Sequence, residues 1–93
     1  MNKFAIIFTE SYSRRARKFF KAHPELLGQY EKCLFLMEAN PFHPSLRIHP
    51  LQGRLAGLHS ISITMSYRLT IEFLIEDKEI IPVNIGTHDQ VYG

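Results

Sequence analysis

The sequence predicts an α+β domain: an antiparallel sheet with a two-helix hairpin packed on one face, in the order β-α-α-β-β-β. Two observations carry this. Between Glu10 and Ala39 apolar residues recur at helical spacing, and from Ile61 onward they alternate with polar ones. Between the two regimes lies a stretch holding Pro41, Pro44 and Pro50 and closing at Gly53, which reads as a loop too short to link domains.

Taken in order, Phe4 to Phe8 is an apolar run with the look of a buried strand. Thr9 is placed to cap a helix. Tyr12, Ala16, Phe19 and Phe20 then form its dry stripe, and Arg14, Arg17, Lys18 and Lys21 its wet side. His23-Pro24 stops that helix, and Pro24 suits the first turn of the next. The second helix carries Leu26, Leu27, Tyr30, Cys33, Leu34 and Met37 on one stripe and ends at Asn40-Pro41. Phe35 lies off the stripe; it reads as the cover of a loop or as a partner patch, the loop being preferred. Three strands follow, marked by Ile61 and Ile63, by Leu69, Ile71, Phe73 and Ile75, and by Ile81, Val83 and Ile85. Met65-Ser66-Tyr67 is the first corner and Glu76-Asp77-Lys78-Glu79 the second turn.

Size and composition bound the function. Residues 1–93 make a single domain, and an apolar fraction of 45% supports one core without staples. Cys33 is the only cysteine, so no intrachain disulfide forms, which suits a reducing cytoplasm. No apolar run approaches the ~20 residues of a membrane span, and Met1 to Glu10 holds no export signal. The five scattered histidines offer no metal quartet, and Gly53 and Gly57 are too isolated for a phosphate loop, so neither a metal nor a cofactor is expected. Net charge is only +2, yet residues 1–68 hold ten of the eleven Lys and Arg against four acids, and residues 69–93 one against five. Such asymmetry points to a polyanion or an acidic partner, or else to an ordinary solvated surface.

If the aliphatic residues face the helices, the other face of the sheet carries Ser60, Ser62, Thr64, Arg68, Thr70, Glu72, Asn84, Gly86 and His88. A turn centred on Asp77-Lys78 puts Arg68 opposite His88 to within a residue. A fixed guanidinium suits a phosphate gaining charge in a transition state, and an imidazole moves protons near neutral pH. His49, Arg47 and Arg54 flank the loop entering this face, and Tyr92, four residues after His88, could stack on a base. Each also has a plainer role: Arg68 as partner of Glu72, His49 as part of a turn, Tyr92 as packing for the tail, His88 as an incidental surface residue.

Three segments then become informative together: Pro44-Ser45-Leu46-Arg47-Ile48-His49-Pro50-Leu51-Gln52-Gly53, Ser66-Tyr67-Arg68-Leu69 and Ile85-Gly86-Thr87-His88-Asp89-Gln90-Val91-Tyr92. Over about its last fifty residues the chain resembles the RelE/ParE superfamily of bacterial toxins, most of all its YafQ-like branch; the helix hairpin matches in layout. The resemblance implies the toxin of a two-gene toxin–antitoxin module. Its YafQ- and RelE-like members are ribosome-dependent endoribonucleases that cut mRNA without a metal, by attack of a ribose 2′-hydroxyl. Carried over, His49 would be the general base, His88 the general acid, Arg68 the stabiliser of the phosphate and Tyr92 the aromatic that orients the nucleotide. The RNA path would run by Arg47, Arg54, Ser62, Ser66, Tyr67 and Asn84. Three of these depart from the branch: Ser62 replaces a histidine, Ser66 an aspartate before the aromatic Tyr67, and Asn84 an arginine. The resemblance implies as partners mRNA, the ribosome and an antitoxin with an acidic segment. It leaves two further readings open, a ParE-like gyrase poison that is not an enzyme and a relic that only binds its antitoxin.

Overall fold

Thr9 opens the first helix as its position suggests. Its hydroxyl accepts the Tyr12 N–H at 3.2 Å, satisfying one of the unpaired donors of helix α1, Glu10–Ala22. The computed structural model describes residues 3–92. His23 ends α1, a single 3-10 turn at Pro24–Leu26 reverses the chain, and α2 runs back over Leu27–Ala39. The hairpin's inner contact is polar: the Tyr12 and Tyr30 hydroxyls lie 2.7 Å apart in a buried setting. Phe35 is 69% exposed, so it does not cover a loop.

The sheet has the order β1-β5-β4-β3-β2, with β1 Ala5–Ile6, β2 His49–Pro50, β3 His59–Ser62, β4 Tyr67–Leu74 and β5 Glu79–Thr87. Strands β2 to β5 pair antiparallel, whereas β1 joins β5 in parallel, so the sheet is mixed rather than wholly antiparallel. Alternation fixes which face a residue takes; it says nothing of the direction of an edge partner. The run from Phe4 to Phe8 is also less buried than it reads. Only Ala5–Ile6 is strand, and Phe8 is 50% exposed. Strand β2 lies inside the segment that reads as a loop, and Pro50 is tolerated there because β2 is an edge.

One irregularity redirects β5. Thr70 pairs with Asn84 but Ile71 pairs with Pro82, leaving Val83 as an extra residue in a bulge. From Val83 back to Glu79 the faces are exchanged. Ile80 and Pro82 therefore enter the core, while Ile81 and Val83, the positions that alternation selects, are only half-buried. The core packs Ile61, Leu69, Ile71, Phe73, Ile80 and Ile85 from the sheet against Tyr12, Tyr30, Cys33 and Met37 from the hairpin. Leu46, from the turn after α2, closes one end.

Candidate active site

The face turned away from the hairpin is built in two rows across the strands. His49, Ser60, Thr70 and Asn84 make one row, and Ser62, Arg68 and Gly86 the other. It is less open than alternation implies: Ser60 and Thr70 are 0% and 2% exposed. Part of the cover is a short helix, α3, His88–Tyr92, which lies against β4 and β5.

Local sequence explains why the chain turns into α3. The Thr87 hydroxyl accepts the Gln90 N–H at 3.2 Å, and the Gln90 side-chain oxygen accepts the Thr87 N–H at 2.8 Å. That reciprocal pair is a capping box, and Thr-x-x-Gln is its sequence signature. Gln90 lies directly over Gly86, where an added Cβ would come within 2.6 Å of its side-chain oxygen and 2.9 Å of its Cβ. A residue without a side chain is what lets α3 settle on the sheet.

Once seated, α3 gathers the site. The Tyr92 hydroxyl donates to Ser60 Oγ, and the Tyr92 carbonyl accepts from Arg54 Nη2 at 2.8 Å. The His88 and Tyr92 rings meet edge to face, 4.3 Å between centroids. His88 Nδ1 lies 3.7 Å from the Asp89 carboxylate, and its ring is 70% exposed. His49 joins the group through β2, opposite Ser60. Its Nδ1 is 3.0 Å from the Arg47 carbonyl. A carbonyl only accepts, so this bond places the proton on Nδ1 and leaves the Nε2 lone pair of the neutral ring to act as a base.

The remaining candidates are placed differently. Arg68 pairs with Gly86, not with His88, because the β4–β5 turn is centred on Glu76-Asp77 rather than Asp77-Lys78 and His88 has already entered α3; the Val83 bulge recovers one residue of that offset. Arg68 Nη1 donates to the Thr64 carbonyl at 2.7 Å. Tyr67 takes the opposite face: its ring packs on Phe19 and His23 at 5.4 and 5.0 Å, under the end of α1 and away from the polar rows. Ser66 is exposed in the β3–β4 turn, its N–H bonded to Thr64 Oγ1. The Asn84 side chain accepts the neighbouring Ile85 N–H. Arg47, held in a left-handed conformation at φ 50°, lines a small cavity of about 170 Å³ with Ser45, Ser62, Thr64 and Met65. Gln90 and Thr64, which organise α3 and the β3–β4 turn, escape a reading that looks for proton donors and phosphate grips. For Gln90 the signature was present in the sequence. No group of three or more His, Cys, Asp or Glu among the described residues is placed to hold a metal ion.

Comparison with solved structures returns one fold. E. coli YafQ superposes with a TM-score of 0.78 at 18% identity, over 98% of this chain and 100% of that one. YafQ in the E. coli DinJ–YafQ toxin–antitoxin complex gives 0.76 at 20%, over 98% and 99%. The Mycobacterium tuberculosis RelBE2 toxin–antitoxin complex gives 0.72 at 21%, over 92% and 99%. No family model and no curated protein sequence matches the chain. The architecture is therefore the α+β fold of the RelE/ParE toxins, carried by a sequence only about a fifth identical to theirs.

Proposed function

We propose that this chain, built on the fold of the RelE/ParE toxins, is the toxin of a two-gene toxin–antitoxin module and cuts mRNA on the ribosome. The observation that supports this reading is a chain of contacts between two exposed histidines: His49, its Nε2 lone pair free, lies opposite Ser60, the Tyr92 hydroxyl donates to Ser60, and the His88 ring packs on Tyr92. In the reaction, His49 takes the proton of a ribose 2′-hydroxyl, whose oxygen attacks the adjacent phosphorus. The bond from phosphorus to the 5′-oxygen breaks, His88 protonates that oxygen, and a 2′,3′-cyclic phosphate remains. Arg68, on the neighbouring row, supplies fixed positive charge for the phosphate oxygens as they gain charge. Tyr92 presents its ring to the scissile nucleotide. Arg47, Arg54, Ser62, Ser66 and Asn84 stand along the RNA path, and Tyr67 supports the β3–β4 turn from below. The partner that silences the protein is an antitoxin with an acidic segment, drawn to the basic first two-thirds of the chain.

The test is purified protein added to ribosomes programmed with a defined mRNA, with ribosome-free mRNA beside it. New RNA ends within the decoding codon, confined to the ribosome sample and lost in both His88→Ala and His49→Gln, are the expected result. Intact mRNA in both samples refutes the reading. One observation favours a second reading, a chain that binds its antitoxin without cutting. The Arg68 guanidinium is engaged by a backbone carbonyl, while Ser62 and Ser66 carry no charge. A tight antitoxin complex with no RNA cleavage and no cell toxicity selects that reading, and a DNA-damage response selects gyrase poisoning.

A further inference from the structure

On the helix side of α3 lies a cavity of about 340 Å³ that the cleavage chemistry does not use. Arg15, Lys18, Phe19, His23, Ile85 and Gln90 line it. Its polar groups are nearly all donors. Arg15 spends one nitrogen on the Val83 carbonyl, at 3.1 Å, and keeps its others. Lys18 offers an ammonium. The Gln90 side-chain oxygen is occupied by the Thr87 N–H, so what Gln90 has left is its NH2. His23 turns Nδ1 toward the Tyr67 hydroxyl and Glu25, each at 3.5 Å. Glu25 itself does not line the cavity. The half-buried Phe19 ring, packed on Phe20, His23 and Tyr67, supplies what apolar surface lies between these donors, and Ile85, 6% exposed, closes the floor.

We propose that this cavity binds one nucleotide unit, its phosphate held by Arg15, Lys18 and the Gln90 amide and its base laid against Phe19 and Ile85. Donors gathered beside an aromatic ring match a ligand that joins an anion to a flat apolar body. The polymer rather than the free nucleotide is the source, because Lys18 also lines the next concavity, about 280 Å³, with Arg14, Arg17 and Lys21. A phosphate backbone leaving the first cavity thus meets further cations at once. Gln90 makes the site more than a surface patch: the residue that donates to the ligand also caps α3, the helix that carries His88 and Tyr92.

The discriminating variant is Gln90→Glu. A glutamate at this position still accepts the Thr87 N–H, so α3 keeps its cap, but it presents a carboxylate oxygen where the amide donated. Binding is read by calorimetry in the His88→Ala background, so the result does not depend on whether the chain cleaves RNA. The probes are 5′-AMP, adenosine, inorganic phosphate and a 2′-deoxy tetranucleotide. The tetranucleotide should bind best, AMP next, and adenosine and phosphate each weaker than AMP. Gln90→Glu and Lys18→Glu should each weaken AMP by about tenfold or more, with melting temperatures unchanged. AMP binding as tight as the tetranucleotide overturns the polymer as source. Equal AMP binding in the parent and both variants, or none at millimolar AMP by folded protein, overturns the site. So does tighter binding of an acetylated Glu-Phe dipeptide than of AMP, which assigns the cavity to an acidic protein segment.

Discussion

At the scale of single residues, Gly86 shows how one missing side chain positions others. A methyl group there meets not only the movable end of Gln90 but its Cβ, which cannot swing aside without shifting α3. Gly86→Ala should lower stability by about 1–3 kcal/mol and suppress the proposed RNA cleavage. Gly86→Ala combined with Gln90→Gly should lose less than the two single changes summed, because the second removes both the side-chain oxygen and the Cβ that the first would meet. Denaturant midpoints of the four proteins measure that coupling; strict additivity would show that the two residues do not compete for space. The Tyr12–Tyr30 pair behaves analogously in the core. Tyr12→Phe leaves the Tyr30 hydroxyl buried without its partner, at a cost of about 1–2 kcal/mol, whereas Tyr12→Phe with Tyr30→Phe should cost less than the sum. The sequence showed the types of the site residues better than their neighbours. His49, His88 and Tyr92 stand out as candidates in the sequence because their chemistry is rare, while the Arg68–Gly86 pairing does not, since the charged run from Glu76 to Glu79 does not mark where the turn is centred.

At the scale of elements, α3 is five residues long and too short to persist unaided. Its seat depends on the capping box, on Val91, which is 5% exposed, and on the Tyr92–Ser60 bond. Thr87→Ala removes one half of the box and should destabilise α3 by about 1 kcal/mol without unfolding the sheet. The measurement is amide hydrogen exchange: protection should fall at Val91 and Tyr92 and hold at Leu69 and Ile71. An equal loss at all four positions would mean that α3 and the sheet open as one unit. The helices were legible because their stripes, their cap at Thr9 and their stop at His23-Pro24 agree. Strand β2 was not, because two residues are too few for any period to register.

For the whole molecule, burial of hydroxyl and thiol protons makes stability depend on alkali. Burial raises the Tyr12 and Tyr30 phenols above their ordinary 10.0 and the Cys33 thiol above 9.0. All three therefore stay protonated in the fold at pH values where the unfolded chain has released them. Stability is full below about pH 9 and declines as pH rises beyond it, by up to about 1.4 kcal/mol per pH unit for each such proton. Urea midpoints taken from pH 8 to 11 should show this fall, and Tyr12→Phe with Tyr30→Phe should flatten it; an unchanged slope would place the alkaline sensitivity elsewhere. The asymmetric charge was legible at this scale, and its arrangement was not. Arg14, Arg17, Lys18 and Lys21 line one concavity, which a linear charge count cannot reveal.

Both margins of the sheet are two residues long, β1 at one side and β2, half of it proline, at the other. A margin of that length offers few free backbone groups to a passing strand, and Pro50 contributes no N–H at all. Beyond Ile80 the outer side of β5 has no strand beside it among the described residues; there α1 lies against the strand and Arg15 donates to the Val83 carbonyl, which limits the purchase for strand-to-strand stacking. Another protein is left to approach these margins by side chains rather than by adding a strand.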